Sequence, residues 1–183
     1  MKKRVTIVSF VVLIIVVIIL AYQWYVANTL LNLQQERDFL SIESKFEELA
    51  YRSERLIAEW DNEASDAANI LNNEFLKAEG LLWGRPATKY YKISLGNVSN
   101  SNFTNLAQFL IHYHSTISND LEQIKLGERS IRLKERAEMI SKDMVFLSEN
   151  MKSKTLQSFS NHTEFYKHWS DLKDNLQNKE AAK

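Results

Sequence analysis

The chain has 183 residues, 45% of them apolar and 25% charged, with 23 basic residues balanced by 23 acidic ones. A neutral total excludes a nucleic-acid binder that works by bulk positive charge, and zero cysteines exclude a disulfide scaffold, a thiolate zinc site and a cysteine nucleophile. Four glycines and one proline leave little material for the tight turns of a many-stranded sheet, so an all-α fold is predicted.

The first element is a membrane helix. Residues 1–4 form a short basic tail, and Val5 to Val26 follow with only Thr6 and Ser9 as polar interruptions before Tyr22. At about 1.5 Å per residue that stretch is about 33 Å long, enough to cross a hydrocarbon core of about 30 Å. Tyr22, Trp24 and Tyr25 sit where aromatic rings with polar tips anchor a helix at the headgroups, and Lys2, Lys3 and Arg4 anchor the other end. A cleaved signal peptide competes with this reading. The apolar run exceeds the usual h-region, however, and the small residues Ala21 and Ala27 are preceded two positions earlier by Ile19 and Tyr25, so an uncleaved signal-anchor is expected. After the span the first basic residues are Arg37 and Lys45, which places the N-terminus in the cytoplasm and the remainder outside, in a single-pass topology.

Without Lys2, Lys3 and Arg4, 20 basic residues face 23 acidic ones, a soluble balance. Phe39, Ile42, Phe46, Leu49, Leu56, Trp60, Ala64, Ala67, Leu71 and Phe75 recur at three and four, with Ser53 filling the missing step. This is the coiled-coil-like seam of an amphipathic helix, and with no Gly or Pro between Ala27 and Glu79 the spacing predicts one stalk helix over residues 27–79. Gly80, Gly84 and Pro86 then end it, opening a connection over residues 80–101. That segment carries Leu82, Trp83, Tyr90 and Tyr91 and is too apolar for a solvated linker. Either it caps its own bundle, the preferred reading, or it forms a partner-binding tip.

Residues 102–152 carry two further stripes: Phe103, Leu106, Leu110, Tyr113, Ile117, Leu121 and Ile124, then Leu133, Ala137, Ile140, Met144, Leu147 and Met151. They fall out of phase across Gly127. Two helices joined by a tight turn fit this pattern, as does one helix with a stutter; the match in length with residues 27–79 favours the single helix, giving a long helical hairpin. Residues 153–183 add a short helix marked by Phe165, His168, Trp169, Leu172 and Leu176, with fraying from Asn178 onward.

Motifs for chemistry are absent. The four glycines match neither the Walker nor the dinucleotide pattern. His112 and His114 point about 200° apart on a helix and cannot share a metal, and no Arg stands at the distance from a His that helical RNases of the HEPN class require. No catalytic, cofactor-binding or metal-binding residue is therefore assigned, and no enzyme activity is expected. The mixed-sign stripe around Arg52 reads as a solvated face, and so does the basic cluster Glu128, Arg129, Arg132, Lys134, Glu135 and Arg136, with an anionic partner or lipid as its alternative.

The expected function is that of a membrane-anchored helical protein acting by self-assembly, as a homo-oligomer, or by interaction with another membrane-associated helical protein, its first partner being the lipid bilayer. The energetic reason is that a two-helix rod buries one stripe per helix and needs further helices to exclude water. Two alternatives remain. One is an oligomeric membrane pore or defence-type effector, which the scarcity of polar residues in the span disfavours. The other is an extracytoplasmic sensor: in helix content the chain resembles the four-helix ligand-binding domains of chemoreceptors and sensor kinases, though it shows neither a second span nor a signalling domain.

Overall fold

The computed structural model describes residues 2–84, 101–158 and 162–178, all helix and short connections. The elements are α1 (Lys2–Ala58), α2 (Ala64–Gly84), α3 (Ser101–Lys125), α4 (Ile131–Asn150), α5 (Ser153–Ser158) and α6 (His162–Asp174). No strand occurs among the described residues. The chain divides into two compact units, residues 1–37 and residues 38–183, taken separately below.

The first unit is the N-terminal part of α1. Its stretch Phe10–Leu30, 21 residues, is long and apolar enough to cross a membrane, and none of it is buried. A helix suits such a Val- and Ile-rich run because it satisfies every backbone N–H and C=O internally, which hydrocarbon demands. Tyr22, Trp24 and Tyr25 are exposed at its C-terminal side, and Thr29 Oγ1 donates to Tyr25 O at 2.9 Å. The side chains of Lys2, Lys3 and Arg4 lie outside the described residues.

The second unit is a helical bundle. Residues 27–79 do not form one helix: α1 stops at Ala58 and α2 starts at Ala64. The Trp60 N–H reaches back only to Ile57 O, at 3.3 Å, while the Glu63 N–H returns to Glu59 O at 2.9 Å. The chain then doubles back, because Lys45 Nζ lies 3.1 Å from Glu74 Oε2 across 29 residues that would separate them by about 43 Å in a straight helix. Asp61 and Asn62, both exposed, occupy the turn, and short polar side chains of this kind compete for backbone groups and weaken a helix. The apolar spacing hid the reversal because Trp60 and Ala64, on either side of it, are both buried.

The stutter reading of residues 102–152 is corrected as well. Gly127 adopts φ 83°, the left-handed conformation in which glycine carries no Cβ penalty. Its N–H bonds to Ile124 O at 3.1 Å while the Glu128 N–H bonds to Gln123 O at 3.1 Å, the paired bonds of a Schellman C-cap. Ser130 then opens α4, its hydroxyl accepting from Leu133 N–H at 3.3 Å. Two cross-helix pairs, Asp120 with Arg136 and Tyr113 with Asp143, are both centred on residue 128, so α3 and α4 run antiparallel in strict register.

The stripes read from the sequence become the core wherever their side chains are described. Leu49, Leu71, Phe75, Leu110, Tyr113, Ile140, Met144 and Leu147 are at most 1% exposed. Ser53, buried in the same row, satisfies its hydroxyl by donating to Ala50 O at 2.8 Å. Between α2 and α3, Phe75 stacks on Tyr113 with ring centroids 6.1 Å apart. Lys152, just after α4, reaches Glu47 of α1 at 2.7 Å and closes the bundle across 105 residues.

Asn178, the first residue expected to fray, is held in place, and residues 179–183 lie outside the described residues. Leu172 and Leu176 are buried, and the Gln177 and Asn178 backbone N–H groups donate to Asp143 at 2.6 and 2.9 Å. This C-terminal strap runs over α4 and ends in a buried hydrogen-bonded network. Of the aromatic connection, Leu82 and Trp83 belong to the last turn of α2, but their side chains, like Tyr90 and Tyr91 altogether, lie outside the described residues.

Candidate functional site

Two polar constellations lie within the bundle, one sealed and one open. The sealed one is built on Asp143, 1% exposed, in the turn of α4 between Ile140 and Met144. Tyr113 Oη donates to Asp143 Oδ2 at 2.5 Å, Gln177 N–H donates to Oδ1 and Asn178 N–H to Oδ2. A buried carboxylate needs compensation of this kind, and three donors supply it. Burial, then the hydrogen bond to and charge of Asp143, hold the Tyr113 phenol protonated well above its ordinary range. With the Asp143 carboxylate buried and engaged by three donors, this network is structural: it fixes α3, α4 and the strap to one another.

The open constellation is a cleft of about 480 Å³ beside it. One wall is a face of α3, where His112, Thr116, Asn119, Asp120 and Gln123 fall at helical spacing beside the apolar stripe. Arg136 and Met139 of α4 form a second wall, and Gln177 and Asn178 of the strap a third. The strap is therefore held in place by Asp143 where Gln177 and Asn178 line the cleft.

At the cleft, Arg136 grips Asp120 through both nitrogens of one guanidinium edge, Nε to Oδ2 at 3.0 Å and Nη2 to Oδ1. Asp120 is 4% exposed, whereas the Arg136 side chain is 28% exposed. Burial pushes the Asp120 carboxyl above its ordinary value, and the Arg136 guanidinium and the nearby charge of Arg132 act against that rise. The second edge of the Arg136 guanidinium, at Nη1, has no partner among the described residues. A fixed, planar, partly solvated cation with donors to spare is an anion-recognition element, because its fork matches the geometry of carboxylate and phosphate.

The histidines separate as their spacing requires. His112 lines the cleft, while His114 turns toward α2, its Nδ1 2.7 Å from Glu79 Oε1. Among the described residues no group of three His, Asp or Glu side chains stands close enough to hold a metal ion. The basic cluster divides too. Arg129 donates from Nη1 to Ile124 O at 2.8 Å and covers the end of α3, Arg136 enters the cleft, and Arg132 and Glu135 remain exposed. Thr116, Asn119, Asp120 and Gln123 were passed over in the sequence; the signal that could have found them is their recurrence on one polar face of α3.

Compared with known protein families, with curated proteins and with solved structures, the chain matches none.

Proposed function

We propose that this protein is a single-pass membrane protein whose helical bundle acts by binding, not by catalysis, with the N-terminus cytoplasmic and the bundle outside. The observation that carries the reading is the contrast in burial between the units: the Phe10–Leu30 stretch buries nothing, whereas the stripes of residues 38–183 bury themselves. An apolar surface of that length left uncovered in water is a liability, and a bilayer removes it. Lys2, Lys3 and Arg4 ahead of the span, with no basic residue after it until Arg37, support the orientation.

The thin core that favoured self-assembly is supplied within one chain, since the two halves of each expected long helix fold back on themselves. Interaction then moves from the apolar stripes to the polar faces, among them the one that lines the cleft.

Alkaline carbonate extraction tests the anchor: the full chain should stay with the membrane pellet, and release into the supernatant would overturn the reading. Orientation is accessible because the chain contains no cysteine. A single Cys at exposed Glu128 should react with a membrane-impermeant maleimide in intact cells; labelling only after lysis would reverse the topology. Native mass in mild detergent should give one chain per particle, and a defined oligomer would return the interaction to self-association.

A further inference from the structure

The inference that follows rests on reading the bundle as a binding unit. We propose that the cleft between α3, α4 and the C-terminal strap is a binding site for a small hydroxylated monocarboxylate, whose carboxylate docks on the free Nη1 edge of Arg136.

Four observations point to this ligand. The volume, about 480 Å³, lies within the range of single small-molecule sites. The charge is complementary: within the cleft Asp120 already balances one edge of Arg136, leaving one cationic donor edge for a single carboxylate, and Arg132, outside the lining, adds its field. The Asp120 clamp on one edge of the guanidinium holds the other edge in a fixed plane, so little side-chain freedom remains to be lost on binding. The remaining chemistry is a set of hydrogen-bonding groups, Thr116, Asn119, Gln123 and Gln177, with Met139 as the apolar exception and the His112 imidazole as the single ring. Such a wall recognises hydroxyls and, with Met139 alone as apolar side chain, offers too little apolar surface for an acyl chain. The site is also built: Gln177 and Asn178 reach it only because Asp143 fastens their backbone.

The test uses the full chain in detergent micelles, titrated with lactate, gluconate and quinate, hydroxylated monocarboxylates of increasing size. Glucose and inorganic phosphate serve as controls for the hydroxyls alone and for a tetrahedral anion. At least one carboxylate should bind saturably and raise the melting temperature, with glucose inert and phosphate weaker. Replacing Arg136 alone would strand a buried carboxylate, so the paired change Asp120→Asn with Arg136→Gln is used; it should weaken binding about tenfold or more. Should that variant fail to fold, Asn119→Ala and Gln123→Ala, both at exposed positions, should each weaken binding several-fold with melting unchanged. No saturable carboxylate binding, phosphate binding as tight as the best carboxylate, or affinity indifferent to these substitutions overturns the proposal. A chain that binds none of the acids yet resists carbonate extraction loses this inference and keeps its anchor.

Discussion

The bundle reverses direction at residues 59–63 and again at residues 126–130, and these two turns are made differently. The second is written in local residues: Gly127 takes a left-handed backbone, Glu128 and Gly127 satisfy carbonyls of α3, and Ser130 caps α4. The first has neither glycine nor proline and no stop signal stronger than Asp61 and Asn62. What stabilises it is Trp60 within it, at 2% exposed, with Leu56 before it at 1% and Ala64 after it at 0%. One turn is specified by capping and the other by the core that forms once the chain has turned, which is tertiary packing overriding a continuous helical pattern.

Substitutions can break that contrast. The largest effect is expected for Trp60→Ala, about 3 to 5 kcal/mol, because it empties the contact that holds the first turn against the core; chemical denaturation of the full chain in detergent measures it. Gly127→Ala should cost about 1 to 2 kcal/mol by backbone strain alone, since a Cβ at Gly127 meets nothing within 4 Å. A cost near zero would mean that the second turn relaxes into another geometry. Ser130→Ala should remove about 1 kcal/mol, and hydrogen exchange should show the loss concentrated in the first turn of α4.

Glu74→Gln sharpens the comparison through pH, since Glu74 joins the arms of the first hairpin. Burial raises its carboxyl, but the hydrogen bonds and charges of Lys77 and Lys45 more than offset this, leaving it below the ordinary 4.5. A depressed folded value means stability that is present above pH 4.5 and lost as pH falls through the folded value. The variant should therefore melt lower at neutral pH, by about 1 kcal/mol, and the gap should close in acid. The smallest effects belong to Asp61→Ala and Asn62→Ala, each within about 0.5 kcal/mol. A large stabilisation or loss from either would show the first turn to be locally encoded after all.

Legibility in the sequence follows the same division. Three-and-four spacing identified the buried rows correctly, from Ile42 to Phe75, from Leu110 to Ile124 and from Leu133 to Met151, because burial depends on which face a residue occupies. Spacing carries no information on whether the helix continues, so residues 27–79 read as one rod when they are parts of two helices. Length matching misled at Gly127, where the local cap signals were the better guide. In the cleft, His112 and Arg136 had drawn notice as a histidine of a close pair and as part of a charge cluster, but their meeting across α3 and α4 depends on the register set at residue 128. Asp143 escaped entirely. A carboxylate beside an apolar stripe reads as solvent-facing unless the strap that covers it, 34 residues later, is known.

The distribution of contacts along the chain also sets an order of assembly. Lys45 with Glu74 and Tyr113 with Asp143 join residues 29 and 30 apart, so each hairpin closes a short loop and can form by itself. Lys152 with Glu47 spans 105 residues. During synthesis the first hairpin therefore emerges with Phe46, Leu49, Leu71 and Phe75 on an open face, and that face stays uncovered until the second hairpin arrives. The strap comes last, since Asp143 lacks its two backbone donors until residues 177 and 178 have been added. The interval between the two hairpins is the period in which this chain is most exposed to aggregation or to capture by a chaperone.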